Sequence, residues 1–341
     1  MTPAREILPP LADRVRPATV TEFIGQSHLV GTGSLLRRAI LENNLFSMIL
    51  WGPPGTGKTT LAKIIARETK ADFYQMSAVS SGVREVRRIL KAGRENFKMA
   101  KHTVFFIDEI HRLNRVVEEV LYSAMEDFFL SWMVGKGLAA RNVNLRINPF
   151  TLIGATTRYS MISAPLRDRF GSVFRLEYYD TSEMKVIVQR SARILDVEAD
   201  QQGVDEIACR SRGTPRIANR LLKRSRDFAL VKADNRVTGP VARDALAQLQ
   251  VDELGLDQSD RRLLESIIDK FSGGPVGLET LAASIHEDSD TIMDVWEPYL
   301  LQLGFIDRTP RGRVATKLAH DYLGRPYSKL DPRDQARLSG F

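Results

Sequence analysis

Apolar and polar positions alternate in a strand–helix rhythm over the first half of the chain. The β-rich run Ser47-Met48-Ile49-Leu50-Trp51 predicts a buried strand, and Leu61 to Glu68 carries helical spacing. Before them, Leu35, Leu36, Ala39 and Ile40 predict a helix over 34–43. After them come a short strand at Asp72–Met76, a charged helix over 83–96, and the four-residue apolar run Val104-Phe105-Phe106-Ile107. That unbroken run, ending in Asp108-Glu109, reads as a parallel strand buried on both faces. Val116, Val117, Val120, Leu121 and Met125 predict an amphipathic helix over 114–127, and Phe150–Arg158 reads as a further core strand. Between these two, Leu130–Val134 and Arg141–Ile147 are strand-like arms around Gly135-Lys136-Gly137, so 129–147 predicts an inserted β-hairpin.

From Asp180 the pattern becomes helical. Asp180-Thr181-Ser182-Glu183 is a helix-start signal, and helices are expected over 183–195, 203–211, 215–231 and 239–249. Pro215 suits a first helical position. Residues 250–257 read as a polar hinge. Helices over 258–271, 278–285 and 289–303 precede a two-stranded turn at Phe305–Ala315, the order of a winged helix. Residues 1–12 read as a mobile arm, and the tail from Pro326 has no clear pattern. The expected division is an α/β domain at 1–179, a small helical domain at 180–252 and a winged helix at 253–341. At 341 residues the chain exceeds what one ordinary core holds.

Charge adds modestly to this picture. Lys and Arg outnumber Asp and Glu by 49 to 42, for a net charge of +7, which suits a nucleic-acid partner without requiring one. The single cysteine, Cys209, excludes an intrachain disulfide and is expected to pack in a helix. No stretch is long and apolar enough to span a bilayer, and the N-terminus lacks a signal-peptide core, so a cytoplasmic protein without membrane attachment is expected.

The chemistry concentrates in Gly52-Pro53-Pro54-Gly55-Thr56-Gly57-Lys58-Thr59, between a predicted strand and a predicted helix. This is the spelling of a P-loop. Its glycines let backbone N–H groups turn toward a polyphosphate, and the helix start adds its own unpaired N–H groups. Lys58 can reach the β- and γ-phosphates, and the Thr59 hydroxyl can hold Mg²⁺. Asp108 and Glu109 end a buried strand, where open α/β sheets place their ligands. There Asp108 can hold Mg²⁺ through water, and Glu109 can polarise an attacking water. Thr156 or Thr157 can sense the γ-phosphate or close a strand-end turn. Arg169, in Arg167-Asp168-Arg169, can serve as an arginine finger toward a neighbour's nucleotide, and Arg216 can reach a phosphate from a helical lid. Arg308, Arg311 and Arg313, with Lys317 close behind, sit on the predicted wing, where they can contact duplex phosphates.

Together these motifs resemble an AAA+ P-loop ATPase with a helical lid. From about Ile107 onward the chain resembles the RuvB family, Holliday-junction branch-migration motors. Asp108-Glu109-Ile110-His111-Arg112-Leu113, Gly154-Ala155-Thr156-Thr157-Arg158, Arg212-Gly213-Thr214-Pro215-Arg216-Ile217-Ala218-Asn219-Arg220 and Arg308-Thr309-Pro310-Arg311-Gly312-Arg313 carry this likeness. Before that point, Gly25-Gln26-Ser27-His28-Leu29 and Met76-Ser77-Ala78-Val79-Ser80-Ser81-Gly82-Val83 are more similar to RarA, a replication-fork AAA+ family.

The resemblance implies ATP and Mg²⁺ as ligands. Val15 and Arg16 would border the adenine. Gly55, Gly57, Lys58, Thr59 and Thr60 would hold the phosphates, with Thr59 and Asp108 toward the metal. Glu126, Asp127 and Phe128 would lie near a nucleotide. Thr156 or Thr157 would be sensor 1, with Thr157 taken as the catalytic one. Arg169 would act in trans, Tyr179 would contact the nucleotide, and Arg216 would be sensor 2. The implied partners are duplex DNA at Holliday junctions, RuvA through hairpin 129–147, RuvC in a resolving complex, and further copies of the chain in a homo-hexamer. The alternative is a RarA-like ATPase acting at stalled forks or gapped DNA.

Overall fold

The computed structural model describes residues 10–99, 101–134, 141–233 and 235–327. Residues up to Arg243 form one compact unit and residues from Asp244 another.

The first unit is built on a five-stranded, all-parallel sheet. Its strands are β1 (Met48–Trp51), β2 (Asp72–Ser77), β3 (Thr103–Asp108) and, beyond a hairpin, β6 (Thr151–Thr156) and β7 (Ser172–Arg175). The hairpin strands are β4 (Phe129–Val134) and β5 (Arg141–Arg146). The sheet order is β2-β3-β6-β1-β7, which puts β1 and β3 on either side of β6. The apolar run of β3 is unbroken because each face meets a different core. Phe105 and Ile107 pack with Val86, Ile89, Val117 and Leu121, whereas Val104 and Phe106 pack with Leu36, Leu61, Ile64 and Ile65. Parallel strands covered on both faces need such runs, and the helices 83–98, 115–126, 35–41 and 58–68 supply the cover.

Most expected elements are present within a residue or two. The capping box at the start of the lid is explicit: Asp180 accepts from the Glu183 N–H at 2.8 Å, and Glu183 accepts from the Asp180 N–H at 3.1 Å. Hairpin strands β4 and β5 pair antiparallel from Phe129↔Arg146 to Val134↔Arg141, and the reversal at 135–140 lies outside the described residues. Edge strand β7 was not legible, because four residues, none of them fully buried, are too short a run for their alternation to stand out. Of the expected mobile arm, residues 1–9 lie outside the described residues, while Leu11–Arg14 is a short helix. The tail from 328 onward is likewise outside them. Cys209 is exposed at the end of its helix and does not pack.

In the second unit, the expected hinge at 250–257 is pinned by side chains. Tyr322 donates to Asp252, Tyr299 donates to the Leu254 carbonyl at 2.6 Å, and Arg261 donates to the carbonyls of Gln250 and Leu256 at 2.8 and 3.1 Å. Leu256 is fully buried. Burial, then the Asp252 carboxylate, push the Tyr322 phenol up to about 12. The helix expected over 289–303 is widened into a π turn at Ile292–Trp296 before Glu297–Gln302. Pro298 is the physical reason: it has no N–H to donate back, and its ring would clash with the carbonyl four residues earlier. Strands Ile306–Thr309 and Gly312–Ala315 pair antiparallel as the expected wing, and Val276 bridges to Arg313.

Candidate active site

The P-loop follows β1 and bends at glycines whose conformations other residues resist. Gly55 has φ +82°, and a Cβ there would stand 2.9 Å from the Cβ of Arg216. Gly57 has φ +110° and lies against the Phe23 ring. The helix Lys58–Glu68 starts immediately afterwards, so its free N–H groups face the loop. Lys58 is buried and donates to the carbonyls of Gly52 and Pro53, both at 2.8 Å. Burial lowers its pKa to about 8, against the opposing pull of Glu109 and Asp108. The ammonium is therefore held inside the loop with both carboxylates near enough to influence it.

These groups line one cleft of about 680 Å³, within the usual range for small-molecule sites. Its walls include Val15, Arg16, Gly55, Gly57, Lys58, Thr59, Thr60, Asp108, Glu109, Tyr179 and Arg216. Strand order explains the meeting. Asp108 ends β3 and Thr156 ends β6, next to the P-loop that follows β1. Glu109 takes a left-handed conformation, φ +52°, which turns the chain sharply off the strand. Its carboxylate lies 3.4 Å from the Nδ1 of buried His111.

The two threonines separate cleanly. Thr156 is buried; its hydroxyl meets His111 Nδ1 at 2.8 Å and accepts from the Arg158 N–H at 2.9 Å. The Thr157 hydroxyl oxygen is also shielded from water, with no hydrogen-bond partner among the described residues. Tyr179 donates from its phenol to the Thr56 carbonyl at 3.0 Å, and its N–H donates to the Gly213 carbonyl at 2.9 Å. It therefore ties the P-loop to the turn preceding the helix Pro215–Lys232. Burial pushes its phenol well above the ordinary range. Thr59 and Asp108 offer a hydroxyl and a carboxylate oxygen on the cleft wall. Those hard donors fit Mg²⁺, which keeps waters and substrate phosphates in most of its positions.

Other residues in or beside the cleft escaped the sequence reading. Arg190, on the helix Thr181–Ile194, donates to the Val15 carbonyl and to Glu22, both at 2.7 Å. Gln26 clasps the Glu177 backbone with both amide atoms, at 2.8 and 2.9 Å. Asn219 and Arg220 line the cleft one turn beyond Arg216. No local motif marks Arg190 or Gln26, whose roles arise from partners some 150 residues or more away.

Arg169, Glu126, Asp127 and Phe128 are not in this cleft. Arg169 donates to Glu126 at 2.9 Å and to the Pro165 carbonyl at 2.6 Å. Glu126 and Asp127 are exposed.

In the second unit, Arg308 and Arg313 do not project freely. Both donate to the fully buried Glu297, at 2.7 Å from Arg308 and at 3.0 and 3.3 Å from Arg313. Arg311 is exposed in the turn between the strands, and Lys317 is exposed behind it.

Three family models together match the chain. Residues 15–176 match the Holliday junction DNA helicase RuvB P-loop domain, 179–252 the RuvB AAA lid domain, and 253–324 the RuvB C-terminal winged helix domain. The first runs unbroken through the stretch that reads as RarA-like, so that spelling marks no change of family. A Dehalococcoides mccartyi protein named Holliday junction branch migration complex subunit RuvB is 55% identical over 327 residues, 95% of this chain and 92% of its own. One of the same name from Chloroflexus aurantiacus is 53% identical over 318 residues, 92% and 89%. A solved structure of the Thermotoga maritima RuvB Holliday junction branch migration motor matches with TM-score 0.80 at 42% identity, covering 92% of this chain and 100% of that one. With every domain matched in order and curated relatives above half identity, the chain belongs to the RuvB family.

Proposed function

We propose that the protein is an ATP-driven motor that moves the branch point of Holliday junctions, working with RuvA. The observation that carries this reading is the convergence of Lys58, Thr59, Asp108, Glu109 and Arg216 on one cleft between the P-loop and the lid. Lys58 leaves the Gly52 and Pro53 carbonyls for the β- and γ-phosphates. Thr59 and Asp108 would hold Mg²⁺, which would supply positive charge to offset that of the phosphates. Glu109 polarises the attacking water, and Thr157, whose hydroxyl has no hydrogen-bond partner among the described residues, orients it or senses the γ-phosphate. Arg216 reaches the phosphates from the lid, and Tyr179 carries the nucleotide state to the same turn. Val15 and Arg16 border the base.

Arg169 acts on the nucleotide of a neighbouring copy, with Glu126, Asp127 and Phe128 beside it at the same edge, which accounts for their place outside the chain's own cleft. A closed ring of six copies supplies such edges all round. The wing grips duplex phosphates, hairpin 129–147 docks on RuvA, and RuvC joins in a resolving complex. The protein works in the cytoplasm; among the described residues no helix is long and apolar enough to cross a membrane.

The test is ATP-dependent dissociation of a synthetic four-way junction, with and without RuvA. RuvA-dependent conversion to duplex arms is expected. ATP turnover stimulated by forked or gapped DNA, with no response to RuvA, overturns the reading.

A further inference from the structure

We infer that Tyr122 is a positioning residue for Arg169, a ring platform that holds the guanidinium ready for the neighbour's nucleotide. This rests on the reading of Arg169 as acting in trans. The guanidinium carbon lies 4.4 Å from the centroid of the Tyr122 ring. That contact holds the cation without consuming its N–H donors.

The ring itself is locked. The Tyr122 hydroxyl donates to Glu118 at 2.7 Å, the Ser163 hydroxyl donates to the same carboxylate oxygen at 2.7 Å, and the two hydroxyl oxygens are 3.2 Å apart. Glu118 is buried, so its carboxylate has little water to exchange these donors for. Burial pushes the phenol pKa up, which keeps Tyr122 a neutral donor.

Spacing completes the device. Glu118, Tyr122 and Glu126 stand four residues apart on the helix Arg115–Glu126 and share one face. The segment 163–169 lies along that face and brings Ser163 to Glu118 and Arg169 to Tyr122 and Glu126. Three groups hold Arg169: the Tyr122 ring, the Pro165 carbonyl at 2.6 Å and the Glu126 carboxylate at 2.9 Å. Glu126 is more than half exposed, so its ion pair is weak and is readily exchanged for phosphate oxygens. The ring remains in place when that exchange occurs. Tyr122, with the Pro165 carbonyl on one nitrogen, sets the position of the cation, and Glu126 occupies the other terminal nitrogen until a nucleotide arrives.

The test uses mixed assemblies in which one chain supplies only the arginine. A Glu109→Gln chain binds ATP without turning it over and still presents Arg169 to its neighbour. The parent chain is mixed at a fixed ratio with Glu109→Gln donors that are otherwise unchanged or carry Tyr122→Leu, Tyr122→Phe or Arg169→Ala. Turnover is read per parent chain as kcat and KM, with assembly and melting temperature checked for each donor. The Tyr122→Leu donor is expected to lower the parent chain's kcat by roughly tenfold, the scale of a desolvated ring–cation contact, with KM unchanged. The Tyr122→Phe donor keeps the ring and restores kcat to within about threefold of the unmodified donor. Tyr122→Met, whose long unbranched side chain fills irregular space without a ring, gives the same reading if the leucine chain does not assemble. An unchanged kcat with the Tyr122→Leu donor, when the Arg169→Ala donor lowers it, overturns the platform and leaves the trans-acting arginine standing. An unchanged kcat with the Arg169→Ala donor overturns both.

Discussion

Thr156 and Thr157 are neighbours of identical chemistry, and the fold gives them opposite tasks. The Thr156 hydroxyl is consumed by His111 and the Arg158 N–H, so it holds the end of β6 to the turn after β3. The Thr157 hydroxyl is shielded from water and has no hydrogen-bond partner among the described residues, which suits the proposed role in sensing phosphate or orienting water. Thr156→Val is therefore expected to cost about 1–3 kcal/mol of stability in chemical denaturation, because buried partners lose a hydrogen bond. Thr157→Val is expected to leave stability intact and lower kcat by roughly a hundredfold, the scale of losing one aligned donor. The reversed pattern in the two measurements would exchange their roles. Lys58→Ala is expected to abolish turnover, and a rate near the parent's would remove the P-loop assignment. At Gly55 the limit is steric and conformational together. Gly55→Ala must bear a left-handed backbone and a close approach to the Arg216 side chain, so nucleotide affinity, measured by fluorescent-nucleotide titration, is expected to fall roughly tenfold.

At the scale of elements, the wing shows how a charge cluster divides its labour. Arg308 and Arg313 share the buried Glu297, so much of their charge is spent in joining the wing to the helix Glu297–Gln302. Arg311 stands exposed at the turn. Arg311→Ala is expected to weaken duplex binding across sequences and to reduce the slope of log affinity against log salt by about 1. Arg313→Ala is expected to act first on the fold. It leaves the buried Glu297 carboxylate with Arg308 as its partner and lowers the stability of this unit by about 1–3 kcal/mol, the cost of a hydrogen bond lost at a buried polar group. Equal loss of DNA binding from both variants, with equal melting temperatures, would contradict this division. The segment 250–257 makes a similar point. Its polar residues read as a hinge, yet they are the groups that Tyr322, Tyr299 and Arg261 grip. Polarity in sequence does not distinguish a solvated linker from one whose polar groups are satisfied by side chains of its own domain.

At the scale of the whole molecule, the organising fact is the strand order. Placing β6 between β3 and β1 brings three strand ends together although their residues lie far apart in the chain. The lid then reaches the same place through Tyr179, which bonds to the P-loop with its phenol and to Gly213 with its backbone. A cleft assembled this way gathers Lys58, Thr59, Asp108, Glu109 and Arg216 yet lacks Arg169, which is bound at Glu126. If Arg169 acts in trans as proposed, turnover is expected to depend steeply on protein concentration. Turnover per chain that stays constant down to concentrations at which the protein sediments as a monomer would refute that dependence.

Local patterns in the sequence determined the parallel sheet, the P-loop, the acidic strand end, the lid's capping box and the winged helix. Each is a short-range signal: glycine spacing, unbroken apolar runs, helical periodicity and cap residues act within a few positions of one another. Tertiary structure alone decided which threonine lacks a partner among the described residues, which wing arginines are already paired, and that Arg190 and Gln26 bond to segments far along the chain. It also formed β7, whose four residues become a strand only because β1 offers an open edge. These outcomes depend on which groups compete for the same buried donor or acceptor, and that competition is settled only when distant segments meet.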